Sequence, residues 1–354
     1  ARAAADSLAM AEADTLGYDL HEDITTAFIG HSSEYSVFRK SYHDVISDNY
    51  GRDFYNNRFY LNPNQSADSL RVMRFENRAF ISLQPWSEDA IVSKIDVGLG
   101  DKLASYYSFS PVNYIEGSKK DGENIVCIAH WDHMGYGKPI NGDTIINGTT
   151  DNATAMAWLL ETARAFKALN KQPERSIVFL VPTCEETGLI GSSYYVENPI
   201  YPVEKTVAVI NLDVIPLWGA NNDVTITGYG HSTLDDMVAR LATKYNRYIM
   251  PDPEAFNGMF YRSDHLPFMR KGVPAMFAKG WNDNREHGKE WAAAKIKDYW
   301  ANVYHKPTDQ TYPETDNYEG LMQEVHLFFD LAYELVTTDV YPQWKPASEF
   351  ANIR

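Results

Sequence analysis

Cysteine is scarce in this chain of 354 residues, which has only Cys127 and Cys184. Neither belongs to a C-x-x-C pair, so a thiolate zinc site is excluded. Both lie in apolar runs that read as strands. They are expected as two buried thiols, with a disulfide between neighbouring strands as the other arrangement. Long apolar runs are missing as well. No stretch of about 18 such residues occurs, which excludes a membrane-spanning helix. Positive charge is in deficit: 32 Lys and Arg stand against 48 Asp and Glu, a net charge of -16. Nucleic acid and anionic membranes are therefore disfavoured as partners. An acidic balance is compatible with a site that holds cations. There is no internal repeat and no low-complexity tract. The chain opens on Ala1 with no methionine, which is expected of a processed start or of an excised piece, and with no signal peptide in view the compartment is not read from it.

What is present points to a folded protein. Hydrophobic residues make up 44%, with 23 tyrosines and 8 tryptophans, enough for a sizeable core. The length allows one large domain or two smaller ones. Residues 1–91 form an N-terminal segment that is Ala-rich and helical over 1–16, then aromatic and polar. Within it "SLRVMRF" (69–75) and "AFISLQ" (79–84) read as two strands across a short turn. Residues 92–345 form a second unit of different character. "NIVCIAH" (124–130), "RSIVFLVPT" (175–183), "KTVAVINLD" (205–213), "DVTIT" (223–227) and "VPAMFA" (273–278) are apolar strands. Residues 151–169, 232–246 and 317–336 carry apolar side chains at helical spacing. Apolar strands alternating with amphipathic helices predict an α/β fold, with a mostly parallel mixed central sheet and helices on both faces.

In such sheets ligands gather outside the carboxyl ends of the strands. His130 ends the first strand, Glu185 and Glu186 follow the second, and Asp213 ends the third. "HWDH" places Asp132 two residues after His130, where a carboxylate can take the second ring proton of a ligating imidazole. A His near an Asp is also a common surface pair. Asp151 lies just before a helical segment. It is either an N-cap or a carboxylate fixed where it can bridge two cations. The adjacent acids Glu185 and Glu186 repel each other in an apolar setting unless something positive neutralises them. Solvated loop acids are the alternative. "VYHKPTD" supplies His305 after Tyr304. Two histidines and three carboxylates suit zinc with an open position for water. A shared Asp would hold two ions about 3.5–4 Å apart. With no thiolate among the donors, Mn or Co can substitute.

The segments "AHWDHMG", "NGTTDNATA", "CEETGLIGS", "NLD", "YRSDHLPF" and "YHKPTD", in that order, resemble the co-catalytic zinc aminopeptidase family of metallopeptidase clan MH. That family also holds glutamate carboxypeptidases, glutaminyl cyclases and the non-catalytic transferrin receptor. The likeness covers roughly residues 92–340 and implies a three-layer sandwich of zinc-exopeptidase type. It implies two Zn2+ per chain: His130 and Asp213 on one, Glu186 and His305 on the other, Asp151 bridging. It further implies that Asp132 supports His130, that Glu185 is the general base and that Tyr304 binds the oxyanion. Asp264 is expected to line the substrate site and His265 to be structural. The implied substrates are peptides with a free N-terminus, and the implied location is secreted or periplasmic. The loop between His130 and Asp151 is longer than in compact members and is expected to shape the cleft. Apolar residues in 255–261 and Trp281 suggest either a pocket for the first side chain or a packing role. Glutaminyl cyclases typically have Trp before the last histidine and a "DDH" loop. Tyr304 and Ser263 stand there, which favours a peptidase. A carboxypeptidase for acidic peptides would want arginines, and Arg262 and Arg270 are the nearby ones. A receptor-like module would lack metal ligands, whereas all five are present.

Overall fold

The structure is a computed structural model. It describes strand backbones within residues 70–110, and the chain from 112 to 353 except residues 121, 170 and 171. The helix expected over 1–16 lies outside the described residues. Strands β1 (Leu70–Arg74), β2 (Phe80–Pro85), β3 (Ile91–Leu99) and β4 (Lys102–Ser110) form an antiparallel meander. The two strands expected over 69–84 are β1 and β2, with Leu70 opposite Leu83. The boundary expected at residue 92 falls inside β3, which pairs with β4 from Ile91 opposite Ser110 to Leu99 opposite Lys102.

A second sheet begins with β5 (Val112–Ile115) and β6 (Asn124–Ile128). The long loop that follows His130 folds back as a hairpin, β7 (Gly135–Ile140) and β8 (Asp143–Ile146). Helix α1 (Thr154–Ala168) leads to β9 (Ser176–Leu180), then α2 (Ile190–Glu197) and β10 (Thr206–Asn211). Next come β11 (Asp223–Ile226), α3 (Leu234–Lys244), β12 (Tyr248–Pro251) and α4 (His265–Arg270). The chain continues with β13 (Ala275–Lys279), α5 (Gly288–Asp298) and α6 (Glu319–Thr337). The order in this seven-stranded sheet is β12-β11-β13-β10-β6-β9-β5. Its centre, β9-β6-β10-β13, is parallel. β5 is antiparallel to β9, and β11 to β13.

The apolar runs are continuous because both faces of the sheet are covered. Ile125, Cys127, Ile177 and Phe179 point to one side. There they meet Trp158 and Leu159 of α1, Val238 and Leu241 of α3, and Phe328 and Leu331 of α6. Val126, Ile128, Val178 and Leu180 point to the other side, against Tyr194 and Tyr195 of α2 and Phe268 of α4. This is the three-layer arrangement expected from the pattern. Helix α2 escaped the periodicity because six of its eight residues are buried, leaving no polar stripe. Cys127 and Cys184 are both buried thiols.

Leu331 is fully buried between α6 and the sheet. Leu331→Ala should lower unfolding free energy by about 2–5 kcal/mol, because the cavity can collapse only in part. Denaturant titration should show a lower midpoint with the slope unchanged.

Candidate metal centre

Three neighbouring parallel strands deliver the site. β6 ends at Ile128 and His130 follows; β9 ends at Leu180 and Glu185 and Glu186 follow; β10 ends at Asn211 and Asp213 follows. Local backbone turns aim these side chains. Cys184, Val214 and His305 have φ of 60°, 54° and 56°, the left-handed region that non-glycine residues rarely adopt. Such strain persists where the surrounding structure over-determines it. Gly191 lets α2 start against the β9 exit, since a Cβ there would come within 2.2 Å of the Thr183 carbonyl oxygen.

Asp151 does not cap α1. It lies in an irregular turn over residues 149–153, with φ -118° and ψ 85°, before the helix begins at Thr154. Asp309 accepts the backbone N–H groups of Thr150 and Asp151 at 2.9 and 3.1 Å. Asn152 donates to the carbonyl of Leu212 and accepts from the N–H of Val214, both at 3.3 Å. These bonds fix Asp151 between the β10 exit and the segment that carries His305.

The five expected ligands converge. His130 Nε2 lies 3.3 Å from Asp151 Oδ1 and 3.4 Å from Asp213 Oδ1. His305 Nε2 lies 3.2 Å from Asp151 Oδ2 and 3.0 Å from Glu186 Oε2. Asp151 thus faces one histidine with each oxygen. Donors placed tetrahedrally around zinc at 2.0–2.1 Å sit roughly 3.3 Å apart. The four separations match that edge. His130 Nε2 and Asp213 Oδ1 are buried and have no hydrogen-bond partner among the described residues. Two orphaned polar atoms facing each other in a dry site are costly unless a cation lies between them. The residues therefore fit bound metal. Glu185 belongs with His130 and Asp213 by proximity. Its Oε2 is 4.0 Å from His130 Nε2, longer than the four separations above.

The charges compensate each other. Burial works against a charged His305, yet Glu186 and Asp151 outweigh it and lift the imidazole to about 10. Burial likewise opposes a charged Glu186, but His305 and His133 pull its carboxyl down to about 2, against the repulsion of Asp151. His130 is held well above its usual value, since Glu185, Asp151 and Asp213 overcome its desolvation. Glu185 is raised well above the carboxylate range by burial, with Asp213, Glu186 and Asp264 adding to it and His130 opposing. Here imidazolium supplies the positive charge that bound cations supply in a metal site.

Asp132 departs from its expected contact. The nearest partner of His130 Nδ1 is the Asp132 backbone carbonyl at 3.1 Å, while Asp132 Oδ1 is 3.9 Å away. The Asp132 carboxylate instead accepts the N–H groups of Glu185 and Glu186 at 3.1 and 3.2 Å. It positions the two acids of the next strand.

Asp264, expected to line the substrate site, lies in the interior. It is fully buried, and Ser192 donates a hydrogen bond to its Oδ1. Its neighbour Ser263, which the sequence reading did not assign, donates to Asp213 Oδ2 at 2.8 Å and accepts from Asn211 at 2.7 Å. His265 is buried, and burial together with His231 lowers it to about 3, so it is a neutral packing residue.

Tyr304 stacks on the His305 ring with centroids 3.7 Å apart. Burial and the carboxylates of Asp151, Glu186 and Glu185 push its phenol well above the usual value, so the O–H keeps its proton. Tyr304 also lines a cavity of ≈ 210 Å³. Met259, Phe277, Trp281 and Trp300 give that cavity apolar walls. Thr225, Thr227, Asp252, Glu254, Arg262 and Lys279 add polar groups the apolar pattern did not announce. Also unannounced were Asp309 and His133, whose Nδ1 is 2.6 Å from Glu186 Oε1. The H-x-x-H spacing in "HWDH" was the available signal for His133.

Residues 112–326, more than half of the chain, match the model of peptidase family M28. A 128-residue stretch is 34% identical to leupeptin-inactivating enzyme 1 of Streptomyces exfoliatus, covering 36% of this chain and 28% of that protein. A 212-residue stretch is 24% identical to a probable glutamate carboxypeptidase of Arthroderma benhamiae, covering 56% and 28%. The chain thus spans under a third of the length of these curated relatives. The structure is similar to a zinc aminopeptidase from Bacillus subtilis with a TM-score of 0.49 and 21% identity, over 69% of this chain and 54% of that one. On the match over residues 112–326, the chain belongs to peptidase family M28.

Proposed function

We propose that this protein is a zinc-dependent aminopeptidase that hydrolyses the N-terminal peptide bond of peptides. The observation that carries the proposal is the set of four donor separations of 3.0–3.4 Å with Asp151 at its centre. His130 and Asp213 would hold one ion and Glu186 and His305 the other, with Asp151 shared. Mn or Co would suit the same thiolate-free donors. When bound, such ions lower the pKa of water and polarise the scissile carbonyl.

The protein residues supply the remaining steps. Glu185 takes the proton of the attacking water and returns it to the leaving amine. Its raised proton affinity and its place beside the ligands suit that exchange. Asp132 holds Glu185 through the backbone N–H. Tyr304, kept protonated, donates a hydrogen bond to the oxyanion of the tetrahedral intermediate. The adjoining cavity receives the first side chain against Phe277, Trp281 and Trp300. Asp252 and Glu254 in the same lining favour the cationic α-amine. The secreted or periplasmic location implied by the resemblance belongs to this proposal. Arg262 and Lys279 in that cavity support a second reading, a carboxypeptidase for acidic peptides.

Paired substrates separate the two. The aminopeptidase reading expects turnover of peptides with a free N-terminus and a blocked C-terminus, and none of N-acetylated peptides. The opposite pattern selects the carboxypeptidase. Glu185→Gln should leave metal content intact and reduce kcat by about 10²–10⁴. Metal analysis beside steady-state kinetics checks this, and retained activity removes Glu185 as the base. Tyr304→Phe should reduce kcat by about 10²–10³ with little change in KM, as expected for a donor used in the transition state.

A further inference from the structure

The segment that supplies His130 carries a second histidine to which the mechanism gives no part. His133 is 7% exposed. Its ring is held on several sides. It meets the His305 ring edge-on, with centroids 5.4 Å apart and planes at 78°. Gly148 presses against it, since a Cβ at that position would come within 2.7 Å of His133 Cγ and Cδ2. Nδ1 lies 2.6 Å from Glu186 Oε1, a short hydrogen bond. Nε2 is buried and has no hydrogen-bond partner among the described residues. The other oxygen of Glu186, Oε2, faces His305 Nε2 at 3.0 Å.

The ligand atoms of His133, Asp151, Glu186 and His305 lie within 4.8 Å of one another, so the ring could itself be a ligand. The separations argue otherwise. Donors sharing a tetrahedral zinc stand roughly 3.3 Å apart. His305 meets that spacing with Glu186 Oε2 and Asp151 Oδ2, at 3.0 and 3.2 Å. At 2.6 Å, His133 Nδ1 and Glu186 Oε1 leave no room for an ion between them and are hydrogen-bonded instead. Asp213 is held in a parallel way. Ser263 donates to its Oδ2, and Oδ1 faces His130. Each of these carboxylates has one oxygen tied to the protein and the other turned to the site.

We propose that His133 is a positioning residue of the metal centre, which by holding Glu186 Oε1 leaves Oε2 as the one oxygen that Glu186 offers to the ion it shares with Asp151 and His305. This rests on the metal-centre reading of the site. It assigns His133 an outer-sphere role of the kind that orients a ligand and tunes its affinity.

Zinc affinity of the full chain tests it, measured by competition with a chromophoric chelator and by metal analysis after dialysis. Two variants, His133→Ala and His133→Gln, are compared with the unaltered protein, with thermal unfolding of each metal-free form as the control for folding. His133→Ala is expected to weaken one zinc equivalent by about 10–100-fold and to leave the other unchanged. His133→Gln keeps an N–H donor and is expected to recover part of that loss, which a purely structural role would not predict. Should His133→Ala fail to fold, His133→Gln against the unaltered chain still reads the smaller shift. Unchanged affinity for both ions in His133→Ala overturns the proposal. Equal and complete loss of one zinc in both variants also overturns it, because that makes the ring a ligand. An unaltered chain that takes up no zinc overturns the metal-centre reading itself, and that result is distinct from any effect of the variants.

Discussion

Acids crowded together out of water set the terms for this structure. Asp132, Asp151, Glu185, Glu186, Asp213 and Asp264 are all under 9% exposed and lie around one end of three adjacent strands. Desolvation and mutual repulsion both oppose their charged forms. The opposing charge comes from His130 and His305, which the same acids hold above their usual values. A fold can keep such a cluster only if the positive partners are fixed as firmly as the acids. The four-strand parallel centre of the sheet, apolar on both faces, provides that rigidity. The left-handed residues beside Glu185 and Asp213 show strain at the same exits.

Holding the ligands also means limiting what each carboxylate can do. A free carboxylate rotates and presents either oxygen. Here Ser263 occupies one oxygen of Asp213 and His133 one oxygen of Glu186. Asp151 alone among the three faces both His130 and His305, one with each oxygen, as the proposed shared ligand requires. Its backbone is fixed from both sides, by Asp309 and by Asn152. Asp132 does comparable work one layer out, through the N–H groups of Glu185 and Glu186. The site is organised less by its ligands than by the groups that restrict them.

Much of the architecture was legible because burial on both faces leaves an unbroken apolar signature in β6, β9 and β10. The amphipathic stripes of α1, α3 and α6 were legible for the complementary reason. Short or uniformly buried elements were silent. β5 and β12 have four residues each, and α2 has no polar face to produce a period. The meander of β1 to β4 runs through residue 92, where a change in composition suggested a boundary, and the seven-stranded sheet starts only at Val112. Pairing between strands is not encoded in local composition.

The sequence by itself determined the fold class and the ligand types, because strand-end positions and residue chemistry are local properties. The order of six short motifs added the family resemblance. Only the tertiary structure decided which oxygen each acid turns inward, that Asp132 reaches Glu185 and Glu186 rather than the His130 ring, that Asp264 is covered, and that His133 and Ser263 stand behind the ligands. Those outcomes depend on side chains 50 to 160 residues apart meeting at hydrogen-bond range. Such distances follow from packing, and no spacing along the chain records them.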